Sequence, residues 1–351
     1  MQIRQATYSD RDAWDDYALC HPDGSAYHLF AWKEAVEGSY GFRGVYLLAE
    51  NECGICGILP MIDFRVPFFS RVLVSLPYCD AGGVLADNLE IEQSLIERAL
   101  LSARKLRAQI KLRSFKPLFS CGQNRTDKVS MILNLPDSSE SLLVGFKSKL
   151  RSQIKKTSRD GVTAQLGKAE LFDAFYDVFA ENMHELGSPV HAHLWLKSVV
   201  SKYKDRVRIG VALTPEKTPA AAGILLLHSS RVSVPWASSL RRYNSMSPNM
   251  LLYSTFLAFA ADHGYRQFDF GRSTPGEGTY RFKKQWGAEP QQLYWYENRV
   301  PAKAKRNQTS NKEGFSAIVS PGKKFAENVW QRLPRSGTDW LGPKIRKYIS
   351  L

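Results

Sequence analysis

The residues best suited to chemistry lie in one stretch near the end of the chain, from Phe268 to Gly287. A strand-like run ends at Asp269, a glycine-rich turn follows, and the next segment carries two adjacent lysines, Lys283 and Lys284. Strand ends in α/β folds face clefts, and glycine lets a ligand approach the backbone closely. An ammonium group placed there can neutralise an oxyanion or a phosphate. The same pattern also fits a strand, turn and helix with solvated lysines, in which Asp269 caps the turn.

Two basic segments could bind an anion. Six basic residues lie between positions 147 and 159, and on a helix Lys147, Arg151 and Lys155 would share one face. Such a face could hold a diphosphate or an RNA backbone, or it could simply be a solvated surface. The second segment consists of Arg241, Arg242, Tyr243 and Asn244. It precedes a predicted helix, whose first N–H groups could bind phosphate.

Histidines and cysteines give a weaker signal. His184, His191 and His193 fall within ten residues, but their spacing fits no common zinc site, so we predict no metal. His184 and His191 instead indicate a polar loop that orients an acceptor in a cleft, or a purely structural loop. The five cysteines are odd in number, which argues against a disulfide scaffold. They are Cys20, Cys53, Cys56, Cys79 and Cys121.

Hydrophobic periodicity predicts an α/β chain whose two halves repeat one order of elements. In the first half we expect strands at 2–6, 44–49, 55–64, 71–76, 110–115 and 129–135, and helices at 9–19, 29–37 and 88–108. Asp87 and Glu90 form a plausible capping box for the third of these helices. In the second half we expect a helix that ends at Gly161, strands at 162–166, 207–213, 220–228, 231–237, 266–271 and 292–297, and helices at 170–186, 192–203, 248–263 and 277–286. Ser247 is the expected N-cap of the helix that begins at Pro248.

Matching positions in the halves indicate an internal duplication. Trp32 corresponds to Trp195, and the pair Pro77-Tyr78 corresponds to Pro235-Trp236. The repeated order of elements is that of the N-acetyltransferase (GNAT) fold, an analogy of fold alone. We therefore predict an N-terminal domain at 1–140, a C-terminal domain at 141–298 and a basic tail at 299–351.

Three sets of motifs resemble the FemAB family, and together they cover roughly residues 25–297. The run Tyr280–Gly287 looks like the closing FK-x-x-[FW]-G motif of that family. Residues 146–156, followed by Gly161-Val162, are similar to the run that opens its second domain, with Thr157 where alanine is usual. Segments 77–84, 182–191 and 235–239 resemble a branch associated with exosortase and PEP-CTERM systems and with BioF-like acetyltransferase domains.

This resemblance implies two tandem GNAT-like acyltransferase domains with mixed central sheets, in the α/β (α+β) class, plus the basic tail. FemAB proteins are aminoacyl- and acyltransferases that attach amino acids to cell-wall precursors. The family's lysine corresponds to Lys283, which would stabilise the oxyanion, while Asp269 or His184 would position or deprotonate the amine. The residues expected to bind substrate are Lys147, Arg151, Lys155, His191, Trp236, Arg241, Arg242, Tyr243, Asn244, Arg272, Glu277 and Lys284.

The implied reaction forms an amide on an amine of a cell-envelope or exopolysaccharide precursor. The donor would be aminoacyl-tRNA or acyl-CoA, with no tightly bound cofactor, and the acceptor would be a phosphate-bearing or lipid-linked molecule. One alternative is acyl-CoA-dependent N-acetylation, although segment 238–246 lacks the glycines that cradle pyrophosphate in acetyl-CoA-dependent GNAT domains. A second alternative is a non-catalytic protein that binds a polysaccharide or lipid-linked intermediate. General nucleic-acid binding is the third.

The formal net charge is +14, and residues 299–351 hold 12 basic and three acidic residues. In this tail Phe325, Val329 and Leu333 recur at helical spacing, with Trp330, Trp340 and Tyr348 nearby. Such a segment could lie on an anionic membrane, or it could fold back on the core. The composition is that of a globular protein, with no apolar run long enough for a membrane span and no secretory signal. We therefore expect a cytoplasmic protein, with the tail as its possible contact to the inner face of the membrane.

Overall fold

A computed structural model describes residues 1–66, 71–118, 124–298 and 321–350. Cys121 and the tail segment before residue 321 lie outside these ranges. The strands are β1 (Gln2–Gln5), β2 (Arg43–Gly44), β3 (Leu47–Asn51), β4 (Gly54–Leu59), β5 (Ile62–Arg65), β6 (Arg71–Val74), β7 (Leu85–Ala86), β8 (Gln109–Ser114), β9 (Asn124–Arg125), β10 (Val129–Asn134), β11 (Thr163–Gly167), β12 (Val207–Leu213), β13 (Pro219–Leu227), β14 (Arg231–Ser239), β15 (Gln267–Ser273), β16 (Glu289–Gln292) and β17 (Tyr294–Asn298). The helices are α1 (Arg11–Cys20), α2 (Phe30–Tyr40), α3 (Leu89–Leu106), α4 (Ser139–Gly145), α5 (Ser148–Arg159), α6 (Phe172–Glu185), α7 (His193–Tyr203), α8 (Pro248–Asp262), α9 (Gly278–Gln285), α10 (Pro321–Arg332) and α11 (Arg335–Arg346).

Three sheets organise these elements. The first half forms a sheet of order β1-β3-β4-β7 and contributes most strands of a second sheet of order β2-β5-β6-β8-β17-β9. The third sheet has the order β11-β12-β13-β14-β15-β10-β16. Within it only β14 and β15 run parallel, as only β6 and β8 do in the second sheet. The predicted mixed α/β architecture is confirmed.

The two halves exchange a strand. β10, which precedes the predicted boundary at residue 140, lies between β15 and β16 of the third sheet. β17, from the far end of the chain, pairs with β8 and β9 of the second sheet. Val129 and Met131 of β10 accordingly belong to the apolar core of the C-terminal half. The division into domains at residue 140 therefore stays a proposal, and each half needs a strand from the other to complete a sheet.

Repeat-related tryptophans join the halves in one core. Trp32 of α2 and Trp195 of α7 meet edge to face, with their ring centroids 5.3 Å apart. Trp236 of β14 stacks on Trp32 at 6.1 Å. Aromatic pairs of this kind stabilise a core beyond the burial of their area. The repeat detected in the sequence is thus also a contact between the halves.

Several element boundaries differ from the expectations. The predicted strand at 55–64 is two strands, β4 and β5, separated at Pro60, which has no N–H to donate to a ladder. The expected helix before Gly161 is also two, α4 and α5. The N-cap of α3 is Asn88, whose side chain accepts a hydrogen bond from the N–H of Ile91 at 3.0 Å. The predicted capping role of Asp87 is therefore wrong.

The tail helices α10 and α11 pack against α6, which favours the folded-back alternative. Gln331 Nε2 donates to the carbonyl of Glu185 at 2.8 Å, and Arg335 forms an ion pair with Glu181 at 3.2 Å. The apolar stripe of α10 nevertheless faces solvent, because Phe325 is 71% exposed and Val329 43%. In the parts of the chain that the structure describes, none of the helices combines the length and hydropathy needed to cross a bilayer.

Candidate active site

The parallel strands β14 and β15 separate and open a cleft. They pair only from Arg231 to Ser233 on one strand and from Gln267 to Asp269 on the other. Beyond this point the strands diverge around a cavity of about 620 Å³. Diverging parallel strands expose backbone groups and strand-end side chains to one space, and such positions commonly bind ligands.

Three parts of the chain form the wall of this cavity. The first half contributes Tyr27, Tyr78 and Asp80, and the C-terminal half contributes α6, β14, α8, β15 and α9. The tail contributes Arg346, the last residue of α11. The site is therefore assembled from segments far apart in sequence.

Lys283 reaches the cavity from α9. Phe282 and Trp286 pack beside Tyr253 of α8 and fix the rotation of this helix. The Lys283 side chain is buried, and its Nζ donates to the carbonyls of Gly271 at 2.9 Å and Arg272 at 2.8 Å. Burial lowers the pKa of Lys283 to about 8, although Asp80 and Asp269 oppose that shift. The predicted catalytic lysine thus lies in the cavity wall.

Asp269 is buried behind this wall. Its Oδ1 accepts hydrogen bonds from Ser130 Oγ at 2.6 Å and from the N–H of Gly271 at 2.8 Å. Burial raises the pKa of Asp269, and the two donors oppose that shift. Gly271 has a φ of +75°, in the left-handed region that favours glycine, and it stands where the register of β15 shifts against β10. Asp269 therefore holds the turn that presents the two carbonyls to Lys283, and it does not line the cavity.

Asp80 is the one carboxylate among the described residues that line the cavity, and it is not among the site residues predicted from the sequence. Its Oδ2 accepts from the N–H of Arg272 at 3.0 Å, and its Oδ1 lies 3.3 Å from the Arg272 guanidinium. Asp80 comes from the first half, two residues after Tyr78, whereas Arg272 belongs to the second. The match between Pro77-Tyr78 and Pro235-Trp236 was the sequence signal that could have pointed to this loop.

His191 and Trp236 also line the cavity, as expected for substrate-binding residues. The His191 ring lies 5.9 Å from the Trp236 ring and 5.3 Å from the Tyr78 ring. Burial, and secondly the charge of Arg346, lower the pKa of His191 well below its ordinary value. At neutral pH His191 is therefore an uncharged member of an aromatic wall.

His184 lies elsewhere, which removes the geometric basis for its predicted catalytic role. Its Nε2 is 3.0 Å from the carbonyl of Leu333, so its ring contacts the tail and does not line the cavity. His193 faces Asp173. The three histidines are thus dispersed, and among the described residues no cluster of three or more His, Cys, Asp or Glu side chains could hold a metal.

The predicted anion-binding residues outside Arg272 do not reach the cavity. Lys147 precedes α5 as its N-cap, and Arg151 donates to the carbonyls of Val144 and Phe146 at the end of α4. Lys147 and Lys155 are exposed on the surface. This segment therefore keeps only its proposed role as a basic surface.

The loop at 241–244 is likewise outside the cavity wall. It forms a 3-10 turn from Arg241 to Met246, and Arg242 makes a close ion pair with Glu181 of α6. The N–H of Arg241 is held by the carboxylate of Glu185. Tyr243 lies against the Arg242 guanidinium at 4.9 Å, and Asn244 is exposed. Glu277 and Lys284 are exposed at the two ends of α9 and also lie outside the wall.

The corresponding cleft of the first half is filled. β6 and β8 pair up to Val74 and Lys111 and then diverge, as β14 and β15 do. Arg113 fills the space: its guanidinium donates to the carbonyls of Leu76 at 2.9 Å, Cys79 at 3.0 Å and Ser350 at 3.1 Å. The cavity of the C-terminal half is therefore the better candidate for chemistry.

Comparisons with known proteins agree with this architecture. Residues 145–284 match the model of the family described as an acetyltransferase (GNAT) domain. The crystal structure of FemX is similar with a TM-score of 0.69 at 14% identity, over 85% of this chain and 98% of FemX. L-PGS from Bacillus licheniformis has a TM-score of 0.57 at 12% identity, over 86% of this chain and 94% of that one.

A tandem GNAT protein from the clavulanic acid biosynthesis pathway, solved without AcCoA, has a TM-score of 0.51 at 10% identity. The similarity covers 86% of this chain and 99% of that protein. At these identities the similarity establishes the fold, and the expected GNAT-like architecture is confirmed. None of the curated proteins shows significant sequence similarity to the chain.

Proposed function

We propose that this chain, which carries a GNAT acetyltransferase domain at residues 145–284, transfers an acyl or aminoacyl group to an amine and forms an amide. The proposal rests chiefly on Lys283, whose ammonium is buried in the wall of the cleft between β14 and β15. Two of its hydrogen bonds go to backbone carbonyls, which fix Nζ in place. An ammonium has three N–H donors, and the third is the one that can meet a substrate oxygen.

The reaction that suits this site is attack of an amine on an ester or thioester carbonyl. The new C–N bond forms as the carbonyl oxygen becomes an oxyanion, and the C–O or C–S bond then breaks to release the leaving group. Nζ of Lys283 would stabilise the oxyanion, because a preorganised cation in a site shielded from water acts strongly on developing charge. Catalysis in this scheme depends mainly on positioning and electrostatics.

The attacking amine must also lose a proton, and we assign that proton to Asp80. Its carboxylate lines the cavity, and its ion pair with Arg272 holds it in position. Asp269, the predicted base, has one oxygen engaged by Ser130 and the N–H of Gly271 and lies behind the wall. A base must lie within hydrogen-bond reach of the proton that it accepts, which favours Asp80.

The donor and the acceptor follow from the resemblance rather than from contacts. We propose aminoacyl-tRNA or acyl-CoA as the donor and an amine on a phosphate-bearing or lipid-linked envelope or exopolysaccharide precursor as the acceptor. The FemAB-like motifs favour the aminoacyl donor. The segment 238–246 has no glycine and its Arg242 is paired with Glu181, which makes it a poor cradle for the pyrophosphate of acetyl-CoA.

The test compares Lys283→Met with Lys284→Met in the full-length protein. Donors are charged tRNA and acyl-CoA, acceptors are a panel of amino sugars and lipid-linked amines, and amide formation is followed by mass spectrometry. Loss of one oxyanion donor typically lowers the rate about 10²–10³-fold, so we expect that loss for Lys283→Met. Lys284 is exposed outside the cavity, and its substitution should leave the rate nearly unchanged. Equal rates in both variants would contradict the proposal, and ligand-dependent unfolding temperatures would show whether binding alone remains.

A further inference from the structure

We infer that Arg346 of the tail and Arg272 of β15 form a binding site for an oxyanion, a carboxylate or a phosphate, on a substrate of this cavity. The inference deepens the proposed function, since it names the chemical group that the second substrate or the donor must carry. The anionic group in question is charged before the reaction begins. It is therefore distinct from the oxyanion that forms during transfer and that Lys283 would stabilise. The tail thereby becomes part of the substrate site.

Arg346 is held in the cavity wall by contacts on the residues that follow it. Its own Nη1 donates to the carbonyl of Ile349 at 2.7 Å. Tyr78 binds the same end of the chain: its hydroxyl donates to the carbonyl of Lys347 at 2.6 Å and its N–H donates to Ser350 at 2.7 Å. These bonds tie the tail to a residue that itself lines the cavity. The position of the guanidinium is therefore built into the fold.

Most of the charged side chains described in the cavity wall are basic. Among the described residues that line it, Arg272, Lys283 and Arg346 are basic and Asp80 is the one acid. Burial lowers the pKa of Arg346 to about 10, so its guanidinium stays charged at neutral pH. The charge of Arg272 makes a smaller contribution in the same direction. Both guanidinium groups line the same cavity, and guanidinium groups bind carboxylate and phosphate in bidentate geometry.

Two neutral groups of the same wall are suited to an anion. His191 Nδ1 and Ser238 Oγ are buried, and neither has a hydrogen-bond partner within the described part of the chain. Buried polar atoms without partners are uncommon, because leaving them unpaired destabilises the fold. A neutral imidazole and a hydroxyl can each donate a hydrogen bond to an oxyanion. The wall thus offers both charge and hydrogen-bond donors for one anionic group.

The experiment measures the binding of two small anions to the full-length protein by calorimetry at constant ionic strength. Inorganic phosphate and succinate are the probes, and the variants are Arg346→Gln, Arg346→Lys and Lys344→Gln. Lys344 lies on the same helix two residues earlier and is exposed, so its substitution makes the same change of net charge outside the cavity. We expect Arg346→Gln to weaken binding of the preferred anion about tenfold and Lys344→Gln to leave it within about twofold. Arg346→Lys keeps the positive charge but loses the bidentate geometry of the guanidinium, so its affinity for the anion should lie between those of the unmodified protein and Arg346→Gln.

Preference for phosphate would identify a phosphate-bearing substrate, and preference for succinate a carboxylate, with either result supporting the site. Equal weakening in the Arg346 and Lys344 variants would show that only the general charge of the tail matters, which overturns the inference. Absence of any binding to the unmodified protein would also overturn it. If Arg346→Gln does not fold, the test compares the anion affinity of Arg346→Lys with that of the unmodified protein, and an equal affinity would overturn the inference. Lys283→Met should retain anion binding while it loses transfer, so failure of this inference and failure of the proposed reaction can be told apart.

Discussion

Arg113 and Gly271 occupy equivalent positions in the two halves of the protein. Each stands two residues beyond the last pair of parallel strands, Val74 with Lys111 in the first half and Ser233 with Asp269 in the second. Arg113 is 3% exposed and fills its cleft with a side chain, whereas Gly271 has none and leaves its cleft open. The closed cleft therefore has a large buried side chain at the position where the open cleft has none.

Replacement of Arg113 tests the structural role of the closed cleft. Arg113→Met keeps the aliphatic length but leaves the carbonyls of Leu76 and Cys79 without their donor. We expect a loss of about 2–4 kcal/mol in the free energy of unfolding, measured by urea denaturation. Lys111→Met, on the same strand, removes an exposed ion pair with Glu297 and should cost less than about 1 kcal/mol. Equal losses in the two variants would refute the assignment.

The transfer rate should depend on pH through Lys283. Its ammonium stabilises the oxyanion only when protonated, and its pKa is about 8. We expect the rate to fall as the pH rises through about 8, in a profile recorded with saturating substrates. Lys283→Arg keeps a charge at all these pH values, so any residual activity of that variant should lack the decline. If the rate of Lys283→Arg declines with pH at the same midpoint, the decline comes from the titration of another group.

Stability should follow the opposite trend over that range. The pKa of Lys283 falls from the ordinary 10.5 in the unfolded chain to about 8 in the fold, so between these values the unfolded chain binds more protons. The contribution of Lys283 to the free energy of unfolding therefore rises with pH from about 8 to 10.5. Below and above this range of pH the contribution does not change. The full change is roughly 3 kcal/mol. It is measured as the difference between unmodified protein and Lys283→Met, and a pH-independent difference would contradict it.

Asp80→Asn should remove the proposed general base and leave the fold intact. The amide oxygen can still accept from the N–H of Arg272, which the carboxylate now does at 3.0 Å. We expect the unfolding temperature to change little and the rate to fall about 10²–10⁴-fold, the usual contribution of a general base. The control is Asp87→Asn, a carboxylate bonded by Tyr17 outside the cavity wall. An unchanged rate in Asp80→Asn would mean that a group other than Asp80 accepts the proton of the amine.

The tail should bind anionic membranes through the surface that faces solvent. Trp340 of α11 is 65% exposed with the Lys344 ammonium 3.2 Å from its ring centroid, and the apolar stripe of α10 is also exposed. We propose that vesicles containing phosphatidylglycerol carry the protein in flotation, and that Trp340→Glu reduces the bound fraction about fivefold. Val144→Glu, an exposed apolar position outside the tail, is the matched control.

Vesicles of phosphatidylcholine alone, and phosphatidylglycerol vesicles at high salt, complete this test. Interaction with anionic lipid is screened by salt, so binding should decline with ionic strength. Equal binding to neutral vesicles would mean that the basic residues contribute nothing. Equal loss in Trp340→Glu and Val144→Glu would mean that the tail is not the contact.

Local patterns in the sequence determined the order of the elements. Apolar periodicity and turn residues act over a few positions, and they located both long helices and the strand that carries Asp269, although that strand continues to Ser273. They also predicted the short helix after the glycine-rich turn that carries Lys283 and Lys284, and the resemblance to the FemAB family singled out Lys283, which lies in the cavity wall. The sequence showed that Trp32 and Trp195 occupy corresponding positions of a repeat, but it did not show that their rings are in contact.

Tertiary structure alone decided which distant residues complete the site. Asp80 enters from the other half, and Arg346 arrives from a tail whose periodicity reports only a helix. The same limit explains why His184 contacts the tail rather than the cleft. Strand pairing and burial couple positions up to hundreds of residues apart, and no spacing rule along the chain encodes which strand is exchanged or which cleft is filled. Local sequence patterns thus determined the elements and the resemblance pointed to the lysine, while long-range packing determined the cavity around it.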